Sequence, residues 1–134
     1  MIVLDASVMV ELILATPTGE RVESLLEKAG EPLNAPHLLS VEVTHVLRRL
    51  VRSKVVTDAS AQAALGHLSW LPVRRWGHEP LLDRMWDLRD NLSAYDASYV
   101  ALAEALEARL VTTDARLHRF ATAWVDVEMV DTLE

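Results

Sequence analysis

Hydrophobic and polar positions follow one another along the chain in a pattern that predicts short strands separated by amphipathic helices. Strand candidates occupy residues 2–5, 33–35, 72–76, 110–113 and 125–130. Apolar residues at helical spacing predict helices over 7–14, 17–30, 37–52, 58–70, 80–89 and 95–108, with a short one from 114. This alternation is typical of a parallel sheet with right-handed crossovers and helices on both faces. The last candidate strand alternates in residue type, so we expect it at an edge.

Composition indicates a folded single domain over residues 1–134. The chain is 51% hydrophobic, which is too much for disorder, and it is long enough to bury a core. Asp5 and Glu11 interrupt the N-terminal apolar segment, so neither a membrane span nor a signal peptide is expected. Cysteine is absent, which excludes disulfides and thiolate metal sites. These features fit a cytoplasmic protein.

The formal net charge is −7. Proteins that bind nucleic acid without help usually neutralise phosphates with Lys and Arg, so tight unaided binding is not expected. A nucleic-acid substrate remains compatible with this acidity if metal ions meet the phosphates. A basic segment of a protein partner is the alternative occupant for an acidic surface.

Four acidic residues stand where a parallel sheet would gather them: Asp5, Glu42, Asp96 and Asp114. Asp5 ends one apolar run and Asp114 closely follows another, and ligands bind at the carboxyl ends of parallel strands. Three of the four also have a purely structural explanation. Asp5 and Asp114 can cap the helices that follow them, and Asp96 has the capping-box spacing from Ser93.

Glu42 is harder to explain structurally. A stripe of Leu39, Val43, Val46 and Leu50 marks the buried face of its helix, and Glu42 lies about 60° from the centre of that face. A carboxylate at the margin of a core needs a partner, because Asp and Glu are rarely buried unpaired. That partner is either an Arg, water at the helix edge, or a metal.

Taken together, the four acids predict a divalent metal site. Two like charges about 4 Å apart repel by about 4 kcal/mol at an effective dielectric constant of 20. Mg²⁺, or Mn²⁺ in its place, would offset that repulsion, because hard cations take oxygen ligands. Such an ion can support phosphodiester hydrolysis without a Ser, Cys or His nucleophile.

Five segments resemble the PIN-domain nucleases, and in particular the VapC-type toxins. They are MIVLDAS at residues 1–7, APHLLSVE at 35–42, LSAYDA at 92–97, YDASYVALA at 95–103 and LVTTD at 110–114. Their order and spacing across nearly the whole chain make the resemblance specific.

The resemblance implies a three-layer α/β/α fold with a parallel five-stranded sheet of order 3-2-1-4-5. It also implies a Mg²⁺- or Mn²⁺-dependent endoribonuclease that forms a homodimer and is neutralised by a VapB-type antitoxin. Asp5, Glu42, Asp96 and Asp114 match the four acids that bind metal and catalyse cleavage in the family. If the protein is such a toxin, we expect the antitoxin to offer a basic C-terminal segment to these carboxylates.

Three further residues are candidates for supporting roles. Thr112 matches the hydroxyl of the family's Thr-x-Asp motif and is expected to orient Asp114, although a β-branched residue is also ordinary in a strand. Ser7 stands beside the acids, where it could bond a metal-bound water or a phosphate, or simply cap the helix. Arg49 projects from the same edge of its helix as Glu42, about 10 Å further along, and is a candidate RNA-phosphate contact. Some PIN nucleases carry a fifth acid two residues after the fourth, and here Arg116 takes that place.

Two alternatives from other classes stay open. The first is a non-catalytic module whose acidic groove receives a basic peptide. The second is an aspartyl-phosphate phosphatase or a phosphoacceptor receiver. It fits less well, because the first acid is followed by Ala6 and Ser7 rather than by a second acid. The only lysines, Lys28 and Lys54, lie in the wrong half of the chain for a receiver.

Overall fold

A computed structural model describes residues 1–133. Its five strands pair in parallel in the order β3-β2-β1-β4-β5, which confirms the predicted fold class and strand order. The strands are β1 (Ile2–Leu4), β2 (Leu33–Pro36), β3 (Val73–Trp76), β4 (Arg109–Thr112) and β5 (Val127–Met129). β5 lies at an edge, as its alternating pattern predicted.

Seven helices flank the sheet within the described residues. They are α1 (Ala6–Ile13), α2 (Pro17–Ala29), α3 (Leu38–Arg52), α4 (Asp58–Trp70), α5 (Leu82–Asp87), α6 (Ala94–Leu106) and α7 (Ala115–Ala121). None of the helices in residues 1–133 has the length and hydropathy needed to cross a bilayer.

The core lies on both faces of β1, the central strand. Ile2, Val3 and Leu4 are fully buried, as expected for a parallel strand covered on both faces. α6 packs on β1, β2 and β4 and is buried from Ala97 to Ala103, while α1 packs on α2, α3 and α4. The many small side chains of α6 let this helix lie close to the sheet, so its alanine-rich sequence is explained by packing.

Local signals fix the ends of α2. The Thr16 hydroxyl accepts a hydrogen bond from Gly19 N at 2.9 Å, Pro17 begins the helix, and Gly30 ends it with φ of 60°. Gly19 has a second role, because a Cβ there would overlap the carbonyl oxygen of Glu11. The contact between α1 and α2 therefore requires a glycine at this position.

Two details differ from the predictions. The helix expected over 80–89 is a 3₁₀ turn (Glu79–Leu81) followed by the short α5, and Leu81, with φ of −100° and ψ of −8°, departs from α-helical geometry between them. On α3 the fully buried residues are Leu39, Val43 and Leu47, so the centre of the stripe is displaced toward Leu47.

Candidate active site

The four predicted acids line one pocket at the carboxyl edge of the central strands. Its volume is about 390 Å³, and its acidic lining residues include Asp5, Glu42, Asp96 and Asp114. Asp5 directly follows β1, Asp114 follows β4, Glu42 lies in α3, and Asp96 lies in the first turn of α6. The pocket is there because β1 and β4 are neighbours at the point where strand order reverses.

Asp5 forms the floor of the pocket and is 5% exposed. Its Oδ1 accepts hydrogen bonds from Ser7 Oγ at 2.6 Å and from Val8 N at 3.2 Å, so the residue also caps α1. Its Oδ2 accepts a bond from Thr112 Oγ1 at 2.5 Å. Burial raises the pKa of Asp5 from 3.8 to about 6. The three hydrogen bonds lower this pKa, and the nearby charge of Asp114 raises it.

The hydroxyl groups of Ser7 and Thr112 connect the start of α1 to the end of β4. Ser7 Oγ and Thr112 Oγ1 lie 3.2 Å apart. Thr113 N donates to Ser7 Oγ, and Asp114 N donates to Thr112 Oγ1, both at 2.9 Å. Thr112 therefore holds the side chain of Asp5 and the backbone of Asp114 at the same time.

Glu42 is half-buried and is held by Tyr99, whose hydroxyl donates to Glu42 Oε1 at 2.6 Å. Burial raises the pKa of Glu42, the bond from Tyr99 lowers it, and the charge of Asp96 raises it. Tyr99 itself is buried, and its pKa is raised mainly by that burial. The sequence reasoning did not assign a role to Tyr99. Its spacing of three residues from Asp96 on the same helix was the signal that could have placed it at the pocket.

Asp96 and Asp114 share a cation supplied by the chain. Arg116 Nη2 lies 2.7 Å from Asp96 Oδ2 and 3.7 Å from Asp114 Oδ2. Asp114 Oδ1 accepts bonds from the backbone N–H groups of Arg116 and Leu117, so Asp114 caps α7 while it lines the pocket. Asp5 and Asp114 therefore each cap a helix and line the pocket.

Arg49 also lines the pocket and has an exposed side chain. It borders a neighbouring groove of about 500 Å³ that is lined partly by Leu38, Val41 and Tyr95. An anionic ligand that lies across the acidic pocket would pass this guanidinium.

The donor atoms of the pocket suit a hard divalent cation. Each carboxylate oxygen has two lone pairs, and each of the four acids keeps an oxygen that is not fully used by hydrogen bonds within residues 1–133. The side chains are not yet arranged as ligands. In the described part of the chain, no three His, Asp or Glu side chains converge closely enough to hold a metal ion as they stand. Metal binding would therefore need some of these side chains to shift.

The pocket does not contain the groups that the phosphatase and receiver alternatives need. No Lys, which a receiver needs, lines it among residues 1–133. Ser7 occupies the position where the phosphatase requires a second acid, and its hydroxyl is bonded to Asp5.

Comparison with known proteins places this arrangement in context. A family model described as PIN domain matches residues 2–123. Ribonuclease VapC12 of Mycobacterium tuberculosis is 39% identical over 130 residues, which cover 97% of this chain and 99% of the relative. The crystal structure of PAE2754 from Pyrobaculum aerophilum aligns with a TM-score of 0.71 and 25% identity, over 93% of this chain and 82% of that one. VapBC2 from Rickettsia felis, bound to a DNA fragment from their promoter, aligns with a TM-score of 0.70 and 18% identity, over 98% of this chain and 100% of that one.

Proposed function

This chain belongs to the PIN-domain family, and we propose that it is an endoribonuclease that acts as the toxin of a VapBC toxin–antitoxin pair. The observation that carries the proposal is the meeting of Asp5, Glu42, Asp96 and Asp114 around one pocket, in a chain whose full-length relatives are named ribonuclease VapC. RNA is the substrate class that those names support.

The cofactor that suits this pocket is Mg²⁺, for which Mn²⁺ would substitute. Asp5, Glu42, Asp96 and Asp114 would hold it, and when bound it would supply Lewis-acid activation for phosphodiester hydrolysis. Ser7 and Thr112 keep the Asp5 carboxylate in one orientation through hydrogen bonds of 2.6 and 2.5 Å. Such fixed orientation lowers the cost of assembling ligands, because the side chain has no rotamer freedom left to lose.

The remaining residues of the pocket would position the substrate. Arg49 offers the guanidinium that an RNA phosphate needs at the rim. Tyr99 donates a hydrogen bond to Glu42 Oε1 and so fixes the orientation of this carboxylate. The contact of Arg49 with an RNA phosphate would weaken as ionic strength rises, because salt screens the attraction between the two charges.

The partner of the toxin would be a VapB-type antitoxin with a basic C-terminal segment. The supporting observation is the set of carboxylates at the pocket in a chain of net charge −7. An Arg or Lys of such a segment would occupy the place of the cation and exclude RNA at once. A homodimer is also expected, and it would cover exposed apolar side chains such as Leu82 and Trp86 on α5.

RNA cleavage by a pair of matched variants tests the function. Asp96→Asn removes one carboxylate of the pocket, and the exposed Asp90→Asn makes the same charge change outside it. We expect wild type and Asp90→Asn to cleave RNA with Mg²⁺ or Mn²⁺ and to stop with EDTA, while Asp96→Asn stays folded and inactive. Full activity of Asp96→Asn would reject the assigned site. Absence of both RNA cleavage and divalent-metal binding by wild type at millimolar metal would favour the non-catalytic binding module.

A further inference from the structure

We propose that Arg116 is a resident counter-cation of the acidic pocket, which competes with the divalent ion and so sets the affinity of the pocket for metal. The proposal rests on the proposed metal site and goes beyond it by assigning a role to a residue that is not a ligand.

The position of the guanidinium is the first support. A single nitrogen, Arg116 Nη2, faces both Asp96 Oδ2 and Asp114 Oδ2, at 2.7 and 3.7 Å. These carboxylates come from two different helices, α6 and α7. The guanidinium therefore lies in the place where one cation would be shared by the two acids.

The location of Arg116 on its helix is the second support. It lies in the first turn of α7, where the backbone N–H groups and the helix dipole disfavour a positive side chain. The side chain is 54% exposed, so packing does not hold it at the pocket. The attraction of Asp96 and Asp114 explains its orientation, and such an exposed ion pair is weak enough to open.

The other acids have no such partner. Asp5 and Glu42 are held by hydroxyl groups of Ser7, Thr112 and Tyr99. Within residues 1–133, Arg116 is the one Lys or Arg side chain that forms an ion pair with any of the four acids. Arg49 also lines the pocket but forms no ion pair with these acids among the described residues, so Arg116 is the cation with which a divalent ion would compete for Asp96 and Asp114.

Entry of a divalent ion has one of two consequences for Arg116. Either the guanidinium leaves Asp96 and Asp114, or it stays beside the ion and repels it. Both lower the affinity for metal. Without this charge, we expect Mn²⁺ to bind about tenfold more tightly, since a positive charge a few ångströms away opposes the ion even in a solvated pocket.

Calorimetric titration of the metal-stripped protein with Mn²⁺ tests the proposal. Arg116→Gln removes the charge, and Arg116→Lys keeps it. Arg119→Gln is the matched control, because Arg119 lies on the same helix with its guanidinium over the ring of Phe120. We expect the Kd to fall about tenfold in Arg116→Gln and to stay within about twofold of wild type in the other two variants.

Thermal unfolding separates this role from a purely structural one. In EDTA, Arg116→Gln should melt below wild type, because Asp96 and Asp114 repel each other without their partner. Saturating Mn²⁺ should raise its Tm by more than it raises that of wild type. A lower Tm in EDTA with an unchanged or weaker Mn²⁺ affinity would overturn the proposal.

RNA cleavage distinguishes failure of this inference from failure of the proposed function. If Arg116→Gln binds Mn²⁺ more tightly than wild type but wild type cleaves no RNA, the proposed competition of Arg116 with metal stands and the proposed ribonuclease function is rejected. If wild type cleaves RNA but Arg116→Gln and wild type bind Mn²⁺ with equal affinity, only the proposed competition of Arg116 with metal is rejected. Absence of Mn²⁺ binding to both proteins would reject the competition as well.

Discussion

Replacing Asp5 by Asn removes a carboxylate that folding buries, and the effect on stability should depend on pH. Burial raises the pKa of Asp5 from 3.8 to about 6. One pKa unit corresponds to about 1.4 kcal/mol, so ionising Asp5 costs the folded state about 3 kcal/mol relative to the unfolded chain. Asn keeps the shape and the capping oxygen toward Val8 N without the charge.

The sign of the effect follows from the raised pKa. Between the unfolded and folded pKa values, the native state binds more protons than the unfolded chain, so stability falls as pH rises. The contribution of Asp5 is fully present below about pH 4 and is lost as pH passes through about 6. The free energy of unfolding of wild type minus that of Asp5→Asn should therefore fall by about 3 kcal/mol between about pH 3.5 and pH 8.

Urea denaturation of both proteins across this pH range, in EDTA, measures the difference. Taking the difference cancels the titration of carboxylates that the two proteins share. The exposed Asp90→Asn makes the same charge change outside the pocket and serves as the control. A difference between wild type and Asp5→Asn that is flat, or that rises with pH, would refute the conclusion that Asp5 is ionised at a cost.

Three further changes test packing and the pocket. Gly19→Ala should lower the free energy of unfolding in urea by about 2 kcal/mol, because its Cβ would overlap the backbone of α1. Gly66→Ala should raise it by about 0.5–1 kcal/mol, because a Cβ at this position in α4 meets no atom and alanine favours the helix. Tyr99→Phe removes the hydrogen-bond donor to Glu42. We expect the rate of RNA cleavage in single-turnover kinetics to fall about tenfold, and the free energy of unfolding in urea to fall by about 1 kcal/mol. Arg49→Gln should make the fall of log affinity for single-stranded RNA with log salt shallower by about 0.7, measured by fluorescence anisotropy with Mg²⁺ and a non-cleavable RNA analogue.

Each of these has an outcome that contradicts it. Equal stabilities of the two alanine variants would show that α1 and α2 separate without cost. Wild-type cleavage by Tyr99→Phe would mean that Glu42 needs no fixed orientation. An unchanged salt slope in Arg49→Gln would place the RNA away from this side of the pocket.

Elements with a strong local signal could be predicted closely from the sequence. The cap at Thr16, the start at Pro17 and the end at Gly30 depend on the preferences of a few adjacent residues. The region around Pro80 was predicted less well, because apolar spacing alone does not distinguish a 3₁₀ turn followed by a short helix from one helix. The order of the strands followed from the family resemblance, not from periodicity.

The meeting of the acids at one pocket was predicted in outline and decided in detail by the fold. Topology alone brings the ends of β1 and β4 together, so Asp5 and Asp114 could be expected near each other. The bond from Tyr99 to Glu42 could not be foreseen, because it joins residues 57 positions apart on two helices. The same holds for Arg116, which the sequence showed only as the absence of a fifth acid.

The sequence by itself determined the helices, the strands and the identity of the acids, because burial periodicity and capping are properties of neighbouring residues. The tertiary structure decided which oxygens are held by hydroxyls and which by a cation. It also decided the raised pKa of Asp5, since desolvation depends on everything that covers a side chain. Residues 107 positions apart, such as Asp5 and Thr112, share a hydrogen bond only because two strands far apart in the chain lie side by side.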